Sequence, residues 1–68
     1  MRTINVKLKG YFNKSYNGVY GSVSKGKLAI IDRLLITPAA NSGVMMRVIN
    51  IWKEPRYFDS EWFGFKKN

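Results

Sequence analysis

The sequence predicts an all-β domain, a small antiparallel barrel of five strands. Three observations carry that expectation. Residues 3–9 alternate apolar and polar side chains with period two. Glycine- and asparagine-rich turn signals separate the apolar segments. Residues 44–52 are rich in β-branched and large apolar side chains, which suit a pleated surface. With 68 residues the chain reads as one domain, 1–68, in which several short strands at regular spacing argue for a barrel.

In the first segment, Thr3 to Phe12, Ile4, Val6 and Leu8 fall on one face and Asn5, Lys7 and Lys9 on the other. Gly10 marks a bulge or the close approach of another backbone. Asn17-Gly18 is a turn signal, because both residues tolerate positive φ. Val19 to Val23 reads as a second short strand, with Val19 and Val23 on the same side, and Gly26 supplies the next tight turn.

Residues 27–37 are harder to assign. As a helix they scatter apolar side chains around the axis and set Asp32 between Leu28 and Leu35 on the best apolar face. As a strand they align Leu28, Ile30, Leu34 and Ile36, with Asp32 among them unless a bulge near Asp32-Arg33 turns it outward. The strand is the better reading; a helix over 25–37 would make the class α+β. Thr37 to Gly43 is a loop, since Pro38 cannot donate to a ladder. Val44 to Trp52 reads as a strand of unclear register, 53–56 as a turn, and Tyr57 to Phe65 as the last strand, open to a split at Asp59-Ser60. Lys66-Lys67-Asn68 reads as a fraying basic tail. The expected core is Ile4, Val6, Leu8, Val19, Val23, Leu28, Ile30, Val48 and Ile51.

Twelve Lys and Arg against four Asp and Glu give a formal charge of +8, and the chain contains neither His nor Cys. Those absences remove the usual groups for zinc binding, thiol chemistry and imidazole acid–base catalysis, so no cofactor or metal is expected. The expected protein is a binding module with an anionic partner, not an enzyme. The lack of Cys fits a reducing, cytoplasmic setting. No apolar run approaches the roughly 20 residues of a membrane-spanning helix. No disulfide or zinc site is available to staple so small a core, so stability must come from the apolar residues or from self-association.

Gly18-Val-Tyr-Gly21-Ser-Val23 leading into Lys27-Leu-Ala-Ile30, then Ser42-Gly43 leading into Val44–Ile51, resemble an SH3-like barrel of the KOW type. Tyr57-Phe-Asp-Ser-Glu-Trp62-Phe extends that resemblance, which spans residues 18–65 and rests on glycines and valines. The segment from Asp32 to Ser42 departs from the KOW pattern. The resemblance implies a barrel that binds nucleic acid or protein, and it transfers no functional residue.

The candidate site residues are therefore read from charge and aromaticity. Lys7, Lys9, Arg33, Arg47, Lys53 and Arg56 are expected to neutralise phosphates if the fold brings them together. Tyr11, Tyr57 and Trp62 are expected to stack on bases. Ten aromatic residues exceed what so small a core hides, and no aromatic residue occurs between 21 and 51. Trp62 and its neighbour Phe63 cannot both face inward on one strand; Trp52 is the better core ring. Asp59 and Glu61 would share a face on a continuous strand, but paired carboxylates on so cationic a chain read more simply as salt-bridge partners. The favoured partner is DNA or RNA. The alternative is a small adaptor or inhibitor, of a kind a phage could encode, that docks on an acidic surface of a larger protein.

Overall fold

The alternation in the N-terminal segment produces the longest strand, β1 (Arg2–Phe12). A hairpin of β2 (Tyr16–Gly18) and β3 (Gly21–Val23) follows, then β4 (Leu28–Ile36), β5 (Val44–Val48) and β6 (Arg56–Asp59). A 3-10 turn (Ser60–Trp62) leads into β7 (Phe63–Gly64). The structure is a computed structural model that describes residues 1–65; the basic tail Lys66-Lys67-Asn68 lies outside the described residues. Five strands form one antiparallel sheet in the order β6-β5-β4-β1-β7, and β2-β3 form a separate ribbon. The sheet curls into a half-barrel compatible with an SH3-like barrel. No described helix is long and apolar enough to cross a membrane.

Residues 28–36 are strand, so the helical alternative for 25–37 does not hold. The anticipated kink at Asp32-Arg33 is present. Ile31 pairs with Val48 and Arg33 with the adjacent Arg47, leaving Asp32 as the extra residue. On the other side, Val6 and Lys7 together oppose Asp32. A bulge of this kind reverses the inside–outside alternation beyond it. Before it, Ala29 and Ile31 are buried; after it, Leu34 packs on the core. Leu28 is therefore not a core residue, as its side of the strand faces out and it is 49% exposed. Ile30 is only half-buried for the same reason.

The hairpin also corrects the sequence reading. Gly18 pairs with Gly21, so the turn is Val19-Tyr20, and Asn17-Gly18 lies within β2. Gly21, with φ of 110°, takes the left-handed conformation assigned above to the Asn-Gly pair. Val19 sits at the tip, 92% exposed, and contributes nothing to the core. Gly10 is explained by close approach: a Cβ there would lie 2.8 Å from the Gly64 carbonyl oxygen and 2.7 Å from the Phe65 ring. The strand from Val44 stops at Val48, and residues 49–55 form the loop to β6. Asp59 ends β6 and accepts the Glu61 backbone N–H, starting the 3-10 turn, so Asp59 and Glu61 do not share one strand face.

The core consists of Phe12, Val23, Ala29, Ile31, Val48, Phe58 and Phe63, with Val6, Leu8, Tyr16, Leu34, Met46, Ile51, Trp52 and Trp62 packed around it. Phe12 meets Phe63 with ring centroids 5.0 Å apart, and Phe58 stands edge-on to Phe12 at 5.7 Å. Trp52 stacks on Phe58 at 5.3 Å, and Tyr16 joins Trp52, Phe58 and Trp62 edge-on. The early and late aromatic groups thus meet because β1 pairs with β7. Such pairs add about 0.5–1.5 kcal/mol each beyond their area.

These assignments separate two valine and isoleucine sites. Ile31→Val in the core should cost about 0.5–1.5 kcal/mol. Val19→Ala at the hairpin tip should stay within about 0.5 kcal/mol of wild type. Urea unfolding of the two variants checks both expectations.

Candidate nucleic-acid interface

The outer face of the sheet follows from strand register. Side chains directly opposite each other in a ladder lie on the same face. Asn5 pairs with Arg33, Arg33 with Arg47, and Arg47 with Tyr57, forming one row across β1, β4, β5 and β6. Lys7 and Lys9 alternate with the inward-facing Val6 and Leu8, so they extend the same face along β1. Lys9 lies opposite Ile30, and Tyr11 opposite Leu28. The fold thereby collects Lys7, Lys9, Arg33, Arg47, Tyr11 and Tyr57 on one side of the sheet.

Arg33 and Arg47 are directly opposed like charges, an arrangement that destabilises a ladder unless compensated. Asp32 supplies the compensation. Its carboxylate accepts two hydrogen bonds from Arg47, from Nε at 2.7 Å and Nη2 at 2.5 Å. This fork geometry orients the guanidinium as well as neutralising it. Asp32 follows the inward-facing Ile31 and so lies on the outer face with Arg47, and the bulge keeps Arg33 on that face as well. The Arg47 hydrogen bonds hold the Asp32 carboxyl below its ordinary value, with Arg33 adding a smaller electrostatic pull. Reciprocally, Asp32 raises Arg47. Arg33 has no ion-pair partner among the described residues, and its buried Nε makes no hydrogen bond.

An open groove of about 510 Å³ lies beside this row, lined by residues 6–9 of β1, residues 30–32 of β4 and Ile49. Ile30 and Ile49 give it an apolar lining, and Lys7 and Lys9 give it cationic walls. Long lysine stems cover apolar surface in this way while their ammonium groups stay in water.

The remaining candidates lie elsewhere. Lys53 is exposed in the 49–55 loop. Arg56 pairs with Val48 across the sheet and turns to the inner side, where its guanidinium sits 3.7 Å from the Tyr20 ring centroid. Together with the Trp52 Nε1–H bond to the Tyr20 carbonyl, 3.1 Å, it clamps the hairpin to the sheet. Trp62 packs on Tyr16 and Phe58, and Lys14 Nζ lies 4.4 Å from its ring centroid. Phe63 is the buried member of the adjacent pair. Sequence reasoning missed Asn5, the groove residues Ile30 and Ile49, and the partnership of Asp32 with Arg47. The only sign of that partnership was an acid inside an apolar run.

No family model matches the chain, and comparisons with characterised proteins and with solved structures also find no match. Among the described residues no cluster of three or more carboxylates forms a metal site.

Two carboxylates should titrate abnormally. Asp32 is lowered first by its Arg47 bonds, and Asp59 first by a hydrogen bond from the Ser42 side chain, then by the Glu61 N–H. Each therefore contributes stability above the unfolded-state value of about 3.9, and loses it as pH falls through the lower folded-state value. Carboxyl-detected NMR titration should give both midpoints below the ordinary aspartate value. In Arg47→Gln, the Asp32 midpoint should move back up while that of Asp59 stays.

Proposed function

We propose that this chain is a small, non-enzymatic nucleic-acid-binding domain that uses the outer face of its sheet. One observation carries the reading: four strands set Lys7, Lys9, Arg33, Arg47 and Tyr57 on a single face, although these residues are scattered in sequence. With neighbouring strands about 4.8 Å apart, the row from Asn5 to Tyr57 spans roughly 14 Å, enough to follow a backbone across the sheet. Lys7 and Lys9 act as point charges on phosphates, and Arg33 offers its guanidinium fork. Arg47, already tied to Asp32, is held in position and carries little net charge of its own. Tyr57 and Tyr11 supply ring surface for stacking beside the cations. The resemblance to KOW-type barrels is compatible with this use.

Leu28, Ile49 and Tyr57 are also exposed. Apolar side chains and a tyrosine among cations equally suit a protein-binding patch, so an adaptor that docks on an acidic protein surface is the second reading.

Fluorescence anisotropy with a labelled single-stranded oligonucleotide separates the two. Three uncompensated cations, Lys7, Lys9 and Arg33, should give a slope of log affinity against log salt of about −2 on single strands. Arg33→Ala should reduce its magnitude by about 0.7, whereas Lys25→Ala, in the 24–27 turn, should matter far less. Asp32→Asn releases Arg47 and should tighten binding and steepen the slope. A flat salt response, or equal effects of Arg33→Ala and Lys25→Ala, would reject the nucleic-acid reading and leave the adaptor.

A further inference from the structure

β1 is eleven residues long, and β4 covers one of its edges from Arg2 to Tyr11. On the other edge β7 pairs only with Tyr11 and Phe12. Among the described residues, the backbone groups on that side of residues 2–9 meet no neighbouring strand. An unpaired edge of this length is a template for a further strand. By contrast, the other open edge, β6, is four residues long and follows Pro55.

The side chains of β1 record the same asymmetry. Phe12, next to β7, is fully buried. Ile4, Val6 and Leu8 point to the same side but remain half-buried, since no strand lies beside them. The opposite face of the edge carries Lys7 and Lys9, which form no ion pair among the described residues. β1 contains three basic residues, Arg2, Lys7 and Lys9, and no acid, so its outward row is uniformly neutral or cationic.

We propose that the open edge of β1 receives an extended strand from a partner protein, with acidic and apolar side chains in alternation. The backbone of the incoming strand completes the ladder along residues 2–9. Its apolar side chains cover Ile4, Val6 and Leu8, and its carboxylates face Lys7 and Lys9. Strand addition to a sheet edge draws affinity from main-chain hydrogen bonds and specificity from alternate side chains. The lysines select the occupant: edge lysines oppose pairing with a second copy of this cationic strand and favour an acidic one. Because Lys7 and Lys9 also belong to the proposed nucleic-acid face, the strand and the nucleic acid exclude each other there.

The test uses the full chain, isotopically labelled, and no nucleic acid. Two nine-residue probe peptides alternate Val with Glu or Val with Lys; a third is the Glu peptide with alternate backbone nitrogens methylated. The Glu peptide should protect β1 amides between Thr3 and Lys9 from hydrogen exchange. It should bind roughly tenfold more tightly than the Lys peptide, as expected for two to three favourable cross-strand charge pairs. The methylated peptide should lose this binding, and the exposed double variant K7E/K9E should reverse the preference between Glu and Lys peptides. Equal binding of the methylated peptide, or perturbations confined to Arg33, Arg47 and Tyr57, would reduce the effect to surface charge and overturn the proposal. Absence of β1 protection with any peptide, or sedimentation of the free chain as a dimer with β1 already protected, would also overturn it. Salt-dependent oligonucleotide binding is measured separately, so either idea can fail alone.

Discussion

One extra residue in β4 organises both sides of the sheet. Without the bulge at Asp32, strict alternation after Ile31 would point Arg33 into the core and Leu34 into water. With it, Ile31 and Leu34 both contribute to the inner side, opposite Val48 and Met46. Asp32 and Arg33 both go to the outer side, where Asp32 meets Arg47. A two-residue step in β1, Val6-Lys7, matches the same point. The inward place of Leu34 and the outward place of Arg33 are thus consequences of one local departure from regular geometry.

The aromatic cluster compensates for the small number of fully buried side chains. Phe12, Ile31 and Val48 are the largest of these. Around them, rings from β1, β2, β6, β7 and the 49–55 loop contact one another through edges and faces. Long cationic side chains finish the job at the periphery, with Arg56 over Tyr20 and Lys14 over Trp62. Some of the positive charge is therefore structural, and net charge alone overstates how much of it stands free at the surface.

Much of the fold was legible in the sequence, for identifiable reasons. The period-two pattern of residues 3–9 specified β1 and its two faces, and the bulge near Asp32 was visible as a charge inside an apolar run. The split of the last strand at Asp59-Ser60 was also legible. Local signals misled where context overrode them. Asn17-Gly18 has the chemistry of a turn, yet the left-handed residue is Gly21, which moves Val19 to the hairpin tip. Leu28 looked like core because side-chain size masks register; the small Ala29 holds the buried position instead. The site was less legible. Lys7 and Lys9 share a face by alternation alone, but the row from Arg33 to Tyr57 depends on strand order and register, which no local pattern encodes.

The pairing of β1 with β7 has a consequence for how the domain forms. Phe12 and Phe63 are cross-strand neighbours drawn from opposite ends of the described chain, and Phe58 packs on both. The centre of the core thus depends on closing nearly the whole chain into a loop, an entropic cost that comes before its contacts form. On a ribosome, β1 emerges first and must wait for β7, with its apolar residues and open edge uncovered meanwhile. The like charge of its lysines opposes edge-to-edge pairing between nascent copies until Phe12 and Phe63 can meet.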